Sequence, residues 1–386
     1  MSRRERRAAL TGKRRKPPIL LIIFFLLALT LVVGMTYIVY SNSKVLGVPG
    51  SNVNLLNNLR YSIHLYTNLD QLQQPVAFPG QSERKFTITN SDSARDVCSK
   101  LEHEQLVFSG SGTCDFLTYK GKDRTLSPGT YTIQSGLNAI QVAMIIADGS
   151  NRDLQFTIFA GWRLEEIAAV IDQLGFEFGA DQFLSFVYSP PADIEQIVGL
   201  TTSRSLEGYL HPGIYSLKPT IRLEEFVREA VIRTQSVIQE ANQLLNNQSS
   251  TLTSDELIRL ASIIQRETLD SAEMPAIASV FYNRLAIDMR LETDPTVQYA
   301  LGFDPASQTW WKSPLTFADL AVESDYNTYR VRGMPPGPIC NPGREAILAA
   351  FTPEQTGYYF FRAKCDGSLT HNFAVTYEEH LANGCE

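Results

Sequence analysis

Residues 253–267 read TSDELIRLASIIQRE and predict one amphipathic helix. Thr253 and Glu256 have the T-x-x-E form of a capping box, which marks the start of a helix. Apolar residues then follow at helical spacing, namely Leu257, Leu260, Ala261, Ile263 and Ile264. Glu267 lies three and four residues after the last two of them. This spacing places a carboxylate on or beside the apolar face, at the end of the helix.

A carboxylate in that position faces the core or a cleft rather than open water. Desolvation raises the pKa of a carboxyl group, and the negative end of the helix dipole acts in the same direction. A pKa near neutrality is what a general acid requires. The competing interpretation is a structural ion pair between Glu267 and Arg284 or Arg290. On helix geometry alone the ion pair is the more common arrangement.

The chain after this helix contains further candidate site residues. A second helix is predicted to begin at Pro275. Asp294, directly before Pro295, has the form of an N-cap, and that role is compatible with a place in a cleft. Residues 333–343, GMPPGPICNPG, predict a stiff loop that either holds polar groups toward an extended ligand or is a surface connector. We interpret His371 as a ligand contact rather than an ordinary strand residue.

The N-terminal region predicts a membrane anchor. Residues 19–40 carry no charge and are mostly Leu, Ile, Phe and Val, and as a helix they would span roughly 33 Å. A cleaved signal peptide has an apolar region of only about 7–15 residues. Residues 1–16 carry a net charge of +7, so the positive-inside rule places them in the cytoplasm and residues 41–386 outside.

Composition limits the remaining possibilities. The chain has 386 residues, of which 44% are hydrophobic, which is enough for two or three domains. Gly and Pro contents are ordinary, so collagen-like and low-complexity proteins are excluded. Beyond the basic N-terminus the net charge is −14, which is unfavourable for nucleic-acid binding.

The five cysteines fit an extracytoplasmic location. Cys98 and Cys114 are the best disulfide candidates, whereas Cys340, Cys365 and Cys385 leave one cysteine unpaired and their pairing open. No spacing of Cys and His indicates a metal site, and we predict no metal and no cofactor.

A weak internal repeat lies between the anchor and the helices. Residues 86–89 (FTIT) and 156–159 (FTIF) each precede a polar turn and a helical pattern, and the two segments align without a gap. Chance similarity of short amphipathic units is the alternative. The chain therefore divides into five predicted parts: a cytoplasmic basic tail (1–18), a transmembrane helix (19–40), a spacer with a short helix near Leu55–Leu65 (41–84), a region of two related halves (85–200) and a mostly helical domain with a small β element (201–386).

Several sequence blocks in residues 205–380 resemble one family, the membrane-anchored endolytic murein transglycosylases (MltG, YceG-like). The blocks occur in the family's order and are SLEGYL (205–210), LASIIQRET (260–268), VFYNRL (280–285), MRLETDPTV (289–297), YNTY (326–329) and GMPPGPI (333–339). The resemblance implies an α+β protein: a single N-terminal transmembrane helix, LysM-like α/β modules in 85–200 and a lysozyme-like catalytic domain in 201–386.

The resemblance also implies site residues. Glu267 aligns with the family's catalytic glutamate, whereas Gln265 replaces an acidic residue that the family usually has two positions earlier. Gly213 stands where the family tends to have Asp, so no role is carried over to it. The predicted substrate-binding residues are Asn283, Thr293, Asp294, Tyr299, Tyr326, Asn327, Tyr329, Asn341 and His371.

The activity implied is cleavage of the β-1,4 bond between N-acetylmuramic acid (MurNAc) and N-acetylglucosamine (GlcNAc) without water. The muramyl 6-hydroxyl closes onto C1, giving a 1,6-anhydro end, so Glu267 alone can act as acid and then as base. A two-carboxylate glycosidase needs a partner about 5–9.5 Å away, and Asp294 is the nearby candidate.

Two alternatives stay open: a hydrolytic muramidase on the same scaffold, and a non-catalytic wall-binding protein that uses its LysM-like region. The implied partners are peptidoglycan strands, the membrane of a bacterium and synthases of the elongation or division machinery.

Overall fold

The computed structural model describes residues 19–51, 53–149, 152–200, 205–245 and 252–384. The predicted basic tail and Cys385 lie outside these ranges. The chain divides between Arg152 and Asp153 into two compact units, each with its own hydrophobic core. This boundary falls inside the region 85–200, so one predicted half belongs to each unit.

The first unit combines six helices with one antiparallel pair of strands among the described residues. Its elements are α1 (Ile19–Leu46), α2 (Leu55–Thr67), α3 (Leu69–Gln73), β1 (Glu83–Ile88), α4 (Ala94–His103), α5 (Gly110–Tyr119), β2 (Gly129–Gln134) and α6 (Ala139–Asp148).

Helix α1 is the element long and apolar enough to cross a membrane, over Ile23–Leu46, and among the described residues it is alone in this. It continues six residues past the predicted end at Tyr40. The extension is polar, and its Asn42 is buried and donates a side-chain hydrogen bond of 2.6 Å to the carbonyl of Ser62 in α2. This hydrogen bond satisfies a buried amide and holds the extension against α2, which explains why the helix continues beyond the end of the apolar run.

The segment predicted as a spacer contributes to the first core. Leu65 of α2 and Leu72 of α3 are fully buried there. The predicted disulfide between Cys98 and Cys114 is confirmed and joins α4 to α5.

The second unit is mostly helical. Its elements are β3 (Arg152–Ile158), α7 (Leu164–Leu174), α8 (Ala180–Tyr188), α9 (Ala192–Val198), β4 (Gly213–Leu217), α10 (Leu223–Leu244), α11 (Ser254–Glu267), α12 (Met274–Ala286), α13 (Asp294–Leu301), α14 (Phe317–Leu320), α15 (Arg344–Phe351), β5 (Phe360–Ala363), β6 (His371–Ala374) and α16 (Tyr377–Ala382). The pairs β3–β4 and β5–β6 are antiparallel. The predicted mixture of helix and sheet is confirmed.

The two segments that align in sequence form the same strand–helix–helix–strand arrangement. In the first unit it is β1, α4, α5 and β2; in the second it is β3, α7, α8 and β4, with α9 inserted. Phe86 of β1 pairs with Tyr131 of β2, and Phe156 of β3 pairs with Tyr215 of β4. All four side chains are buried. Each tyrosine hydroxyl donates to the carbonyl four residues earlier, at 2.7 and 2.6 Å.

The closing strands of both arrangements also begin alike. Gly129 pairs with Ile88, and Gly213 pairs with Ile158. Both glycines have positive φ, +146° and +157°, a backbone conformation that residues other than glycine rarely adopt. Gly213, which stands where the family tends to have Asp, thus matches Gly129 of the first unit.

Helix α11 lies in the core of the second unit. The capping box of Thr253 and Glu256 forms as predicted, and the helix ends at Glu267. Its residues from Leu257 to Ile264 are all buried, packed with α12 and α15. The helix is therefore buried on all sides over these two turns, and its last residues, 265–267, are partly exposed.

Candidate active site

Glu267 lies in the wall of a cavity of about 650 Å³ at the end of α11. The side chain is partly buried, and its Oε1 is shielded from solvent and has no hydrogen-bond partner among the described residues. Buried carboxylate oxygens are ordinarily hydrogen-bonded. Glu267 is therefore a cavity-lining carboxyl group that no described residue stabilises by a hydrogen bond to this oxygen.

The cavity is lined by two groups of residues. The first group is mostly acidic and includes one tyrosine; it comes from the end of α11, the start of α13 with the residues directly before it, and the YNTY segment. The second group is mostly aromatic and basic; it comes largely from β5 and α16. The ten lining residues are Glu267, Arg284, Glu292, Asp294, Tyr329, Phe360, Phe361, Arg362, Tyr377 and His380.

Burial raises the pKa of Glu267 to about 8, and the nearby charge of Asp294 adds to this rise. Arg284 acts in the opposite direction, but its effect is smaller than that of burial. At neutral pH the carboxyl group is therefore largely protonated, as a proton donor must be.

The structural ion pair is not formed within the part of the chain that the structure describes. Arg284 donates its guanidinium hydrogens to the carbonyls of Leu291 and Tyr359, and no basic group lies within ion-pair distance of Glu267. Arg290 is exposed. Arg284 thus contributes charge to the cavity without neutralising the acid.

Asp294 and Tyr329 form the second polar feature of the cavity. The Tyr329 hydroxyl donates to Asp294 Oδ1 at 2.7 Å. The prediction that Asp294 is the N-cap of its helix is wrong by one residue, because Thr293 is the N-cap and Asp294 is the first helical residue. Its carboxylate accepts from a phenol on another segment instead of capping the helix.

A buried set of threonines fixes the start of α13 against the YNTY segment. The Thr293 backbone N–H donates to Thr328 Oγ1 at 3.0 Å, and the hydroxyls of Thr296 and Thr328 are 2.8 Å apart. Asn327 is fully buried; its amide donates to the carbonyls of Leu320 and Val322 and accepts from the Tyr329 backbone N–H. Thr293 and Asn327 therefore lie behind Asp294 and Tyr329 rather than in the cavity wall.

Two other predicted residues brace the β5–β6 hairpin. Asn283 donates to the carbonyls of Thr356 and Tyr358, at 3.0 and 2.8 Å. The His371 ring and backbone N–H both bond to Glu273, at 2.8 Å each. Neither Asn283 nor His371 lines the cavity.

Tyr299, Tyr326 and Asn341 lie outside the cavity lining. The two tyrosine rings are 4.7 Å apart, and the guanidinium of Arg163 lies over Tyr299 at 4.1 Å. Asn341 is fully buried and donates to Glu207 Oε1 at 3.3 Å. Burial raises the pKa of Glu207 to about 8 as well, but this carboxyl group accepts hydrogen bonds from the Leu164 N–H and from Asn341.

The sequence did not identify several cavity residues, namely Glu292, Phe360, Phe361, Arg362, Tyr377 and His380. The aromatic run at 358–361 predicted a strand, and that strand is β5, but nothing local indicates that it faces Glu267. Apart from Glu292, these residues lie more than 90 positions after Glu267 in the sequence, and only tertiary packing brings them to the end of α11.

Comparison with known proteins identifies the family of the chain. A family model described as the YceG-like family matches residues 86–385. A Bacillus subtilis (strain 168) protein named endolytic murein transglycosylase is 29% identical over 322 residues, which are 80% of this chain and 86% of that protein. A Streptococcus pneumoniae (serotype 2, strain D39) protein of the same name is 25% identical over 321 residues, which are 78% of this chain and 57% of that protein.

A solved structure is also similar. The crystal structure of a yceG-like protein from Listeria monocytogenes has a TM-score of 0.58 and 31% identity, and the match covers 78% of this chain and 98% of that one. The family predicted from the sequence blocks is thus confirmed, and the chain belongs to the YceG-like family.

Proposed function

We propose that the protein is an endolytic lytic transglycosylase that cleaves the MurNAc–GlcNAc β-1,4 bond of peptidoglycan strands and leaves 1,6-anhydroMurNAc ends. The observation that carries the proposal is the unpartnered, shielded Oε1 of Glu267 in a cavity that is large enough for sugar rings. The names of the Bacillus and Streptococcus relatives support the same substrate.

In this mechanism Glu267 acts twice. Its protonated form, favoured by a pKa of about 8, gives a proton to the leaving glycosidic oxygen as the C1–O bond breaks. The resulting carboxylate then takes the proton from the muramyl 6-hydroxyl while that oxygen bonds to C1. The proton balance closes without water, and the acid is regenerated for the next cut.

Asp294 and Tyr329 are proposed to contact the sugar beside the reacting bond. The negative charge of Asp294 favours the positive charge that develops on the ring at C1. Thr293 and Asn327 would position this pair, and Asn283 would hold the backbone before β5. Tyr299, Tyr326, Asn341 and His371 would support the surrounding fold.

The alternative enzyme is a muramidase, because Asp294 offers a second carboxylate in the same cavity. A water activated there would give a reducing MurNAc end instead of an anhydro end. The non-catalytic alternative rests on the repeated strand–helix–helix–strand arrangement, which we interpret as LysM-like glycan-binding modules. Residues 201–386 are proposed to form the lysozyme-like domain.

The deciding experiment is mass spectrometry of peptidoglycan strands treated with the full chain in detergent. The expected products carry anhydro ends, one water lighter than hydrolysis products. Glu267→Gln should abolish cleavage, whereas Glu323→Gln, which changes an exposed acid outside the cavity, should not. Reducing ends would favour the muramidase, and unchanged cleavage by Glu267→Gln would remove that residue from the mechanism.

We also propose that α1 anchors the protein in the plasma (inner) membrane of a bacterium, with residues 1–18 cytoplasmic and residues 41–386 outside. Its length and apolar composition support this, as does the basic N-terminus. Protease added to spheroplasts should digest the exterior units and spare an N-terminal tag. Membrane placement would bring Glu267 near newly made strands and the synthases that produce them.

A further inference from the structure

Arg362 is a cavity residue whose positive charge is not paired with an acidic group of any described residue. It lies on β5, its side chain is exposed and it lines the cavity that contains Glu267. Within the described ranges its guanidinium makes neither an ion pair nor a hydrogen bond. A guanidinium has five donors in a planar fork that matches a carboxylate, so an open one beside a cavity is suited to an anionic ligand.

The other basic groups of the cavity are already engaged or neutral. Arg284 donates to two backbone carbonyls, and among the acidic groups Glu292 has the largest effect on its pKa. Asp294 accepts from Tyr329. The pKa of His380 is lowered by burial and by the charges of Arg362 and Arg284, so its ring is neutral near pH 7. Among the described residues of this cavity, Arg362 is therefore the cation available to a ligand.

The neighbours of Arg362 suit one face of a sugar with an acidic substituent. Tyr377 is 56% exposed, and its ring stacks on His380 with centroids 6.0 Å apart. The Phe360 ring lies 5.4 Å from His380. The Nδ1 of His380 is shielded from solvent and has no hydrogen-bond partner among the described residues. An aromatic face, an unsatisfied ring nitrogen and a free guanidinium thus occur together on β5 and α16.

We propose that Arg362, with Tyr377 and His380, binds a carboxylate carried by the muramic acid side of the substrate. This subsite rests on the proposed function. The N-acetylated sugar rings are neutral, so a negative charge on a glycan strand comes from one of two sources. One is the free lactyl carboxylate of a peptide-free muramic acid; the other is a carboxylate of the stem peptide attached to that lactyl group.

The test measures the equilibrium binding of glycan strands to the full-length protein in detergent. All proteins in this test also carry Glu267→Gln, so that the strands are not cut. Three strands are compared: peptide-bearing, peptide-free with lactyl carboxylates, and peptide-free with those carboxylates converted to methylamides. Arg362→Gln should weaken binding about tenfold for a strand that carries the recognised carboxylate and leave the methylamide strand unchanged. Arg362→Lys should lose less, and Arg330→Gln, an exposed arginine outside the cavity, should lose nothing.

The pattern of losses identifies the source. A loss confined to peptide-bearing strands assigns the stem peptide, a loss confined to peptide-free strands assigns the lactyl carboxylate, and a loss in both means that either carboxylate is accepted. Equal losses on all three strands, or no loss on any, overturn the subsite. Cleavage by the wild type combined with unchanged binding by Arg362→Gln overturns the subsite alone and leaves the proposed function standing.

Discussion

The hydroxyl of Tyr329 donates to Asp294 at 2.7 Å inside the cavity that contains Glu267. The pKa of Tyr329 is raised, chiefly by burial and then by this hydrogen bond, so the phenol keeps its proton. The same Asp294 raises the pKa of Glu267, after the larger effect of burial. One acidic residue therefore both accepts from the phenol and favours the protonated form of the neighbouring carboxyl group.

Asp294→Asn should move the alkaline limb of the pH–rate profile to lower pH. The charge of Asp294 raises the pKa of Glu267, so its removal lowers that pKa from about 8 and the proton donor is lost at lower pH. The measurement is kcat/KM on glycan strands between pH 5 and pH 9. Glu323→Gln is the control for loss of a distant charge. A limb that stays in place would mean that another group controls it.

Glu267→Gln should stabilise the second unit at alkaline pH. The folded-state pKa of about 8 lies above the ordinary 4.5, so the folded state binds the proton more tightly than the unfolded chain. Stability is therefore lost as pH rises from 4.5 toward 8, and glutamine removes this loss. The gain in unfolding free energy at pH 8 should be about 2–4 kcal/mol. All three tryptophans belong to the second unit, so their fluorescence in urea reports it. A gain that is as large at pH 4 would contradict the electrostatic explanation.

Asn341→Ala should destabilise the second unit rather than weaken substrate binding selectively. The Asn341 amide accepts from the Leu210 N–H at 2.8 Å and donates to Glu207. Truncation leaves these buried groups unsatisfied, at a cost of roughly 2–4 kcal/mol. Tryptophan fluorescence in urea measures the loss, and Asn372→Ala, on the partly exposed β6, is the control. A lower affinity for strands at unchanged stability would instead support a binding role for Asn341.

Tyr131→Phe and Tyr215→Phe should have matching effects in the two units. Each change removes one hydroxyl that donates to a carbonyl four residues earlier, which is worth about 1 kcal/mol. Hydrogen exchange followed by mass spectrometry should show faster exchange in β1–β2 for the first variant and in β3–β4 for the second. Tyr66→Phe, an exposed tyrosine of the first unit, should change neither. Unequal losses would show that the two arrangements are alike in shape but not in energetics.

How far the sequence predicts this molecule depends on how local each signal is. Helix α11 was predicted from its capping box to Glu267 because the cap and the apolar spacing lie within one turn of each other along the chain. The assignment of Asp294 as an N-cap was wrong by one residue because Tyr329, on another segment, captures its carboxylate. A cap motif indicates that a helix starts, but a tertiary partner decides where the side chain points.

The predicted polar residues show the same limit. The amides of Asn283 and Asn327 each find two backbone carbonyls on other segments, and no spacing in the sequence tells such an amide from one that faces a ligand. The sequence predicts β5 as a strand but does not predict that β5 and α16 line the cavity. An aromatic strand has the same local pattern whether it lines a site or packs in a core.

The contribution of β5 and α16 to the cavity has a consequence for the maturation of the protein. Helix α11 can form from its own cap and apolar contacts, whereas the groups that meet Glu267 from α16 are joined to it only after a long loop of chain has closed, which is a slow step in folding. A chain halted before that closure lacks the β5 and α16 wall of the cavity. We therefore expect that half-made molecules do not cut glycan strands, without any separate inhibitor.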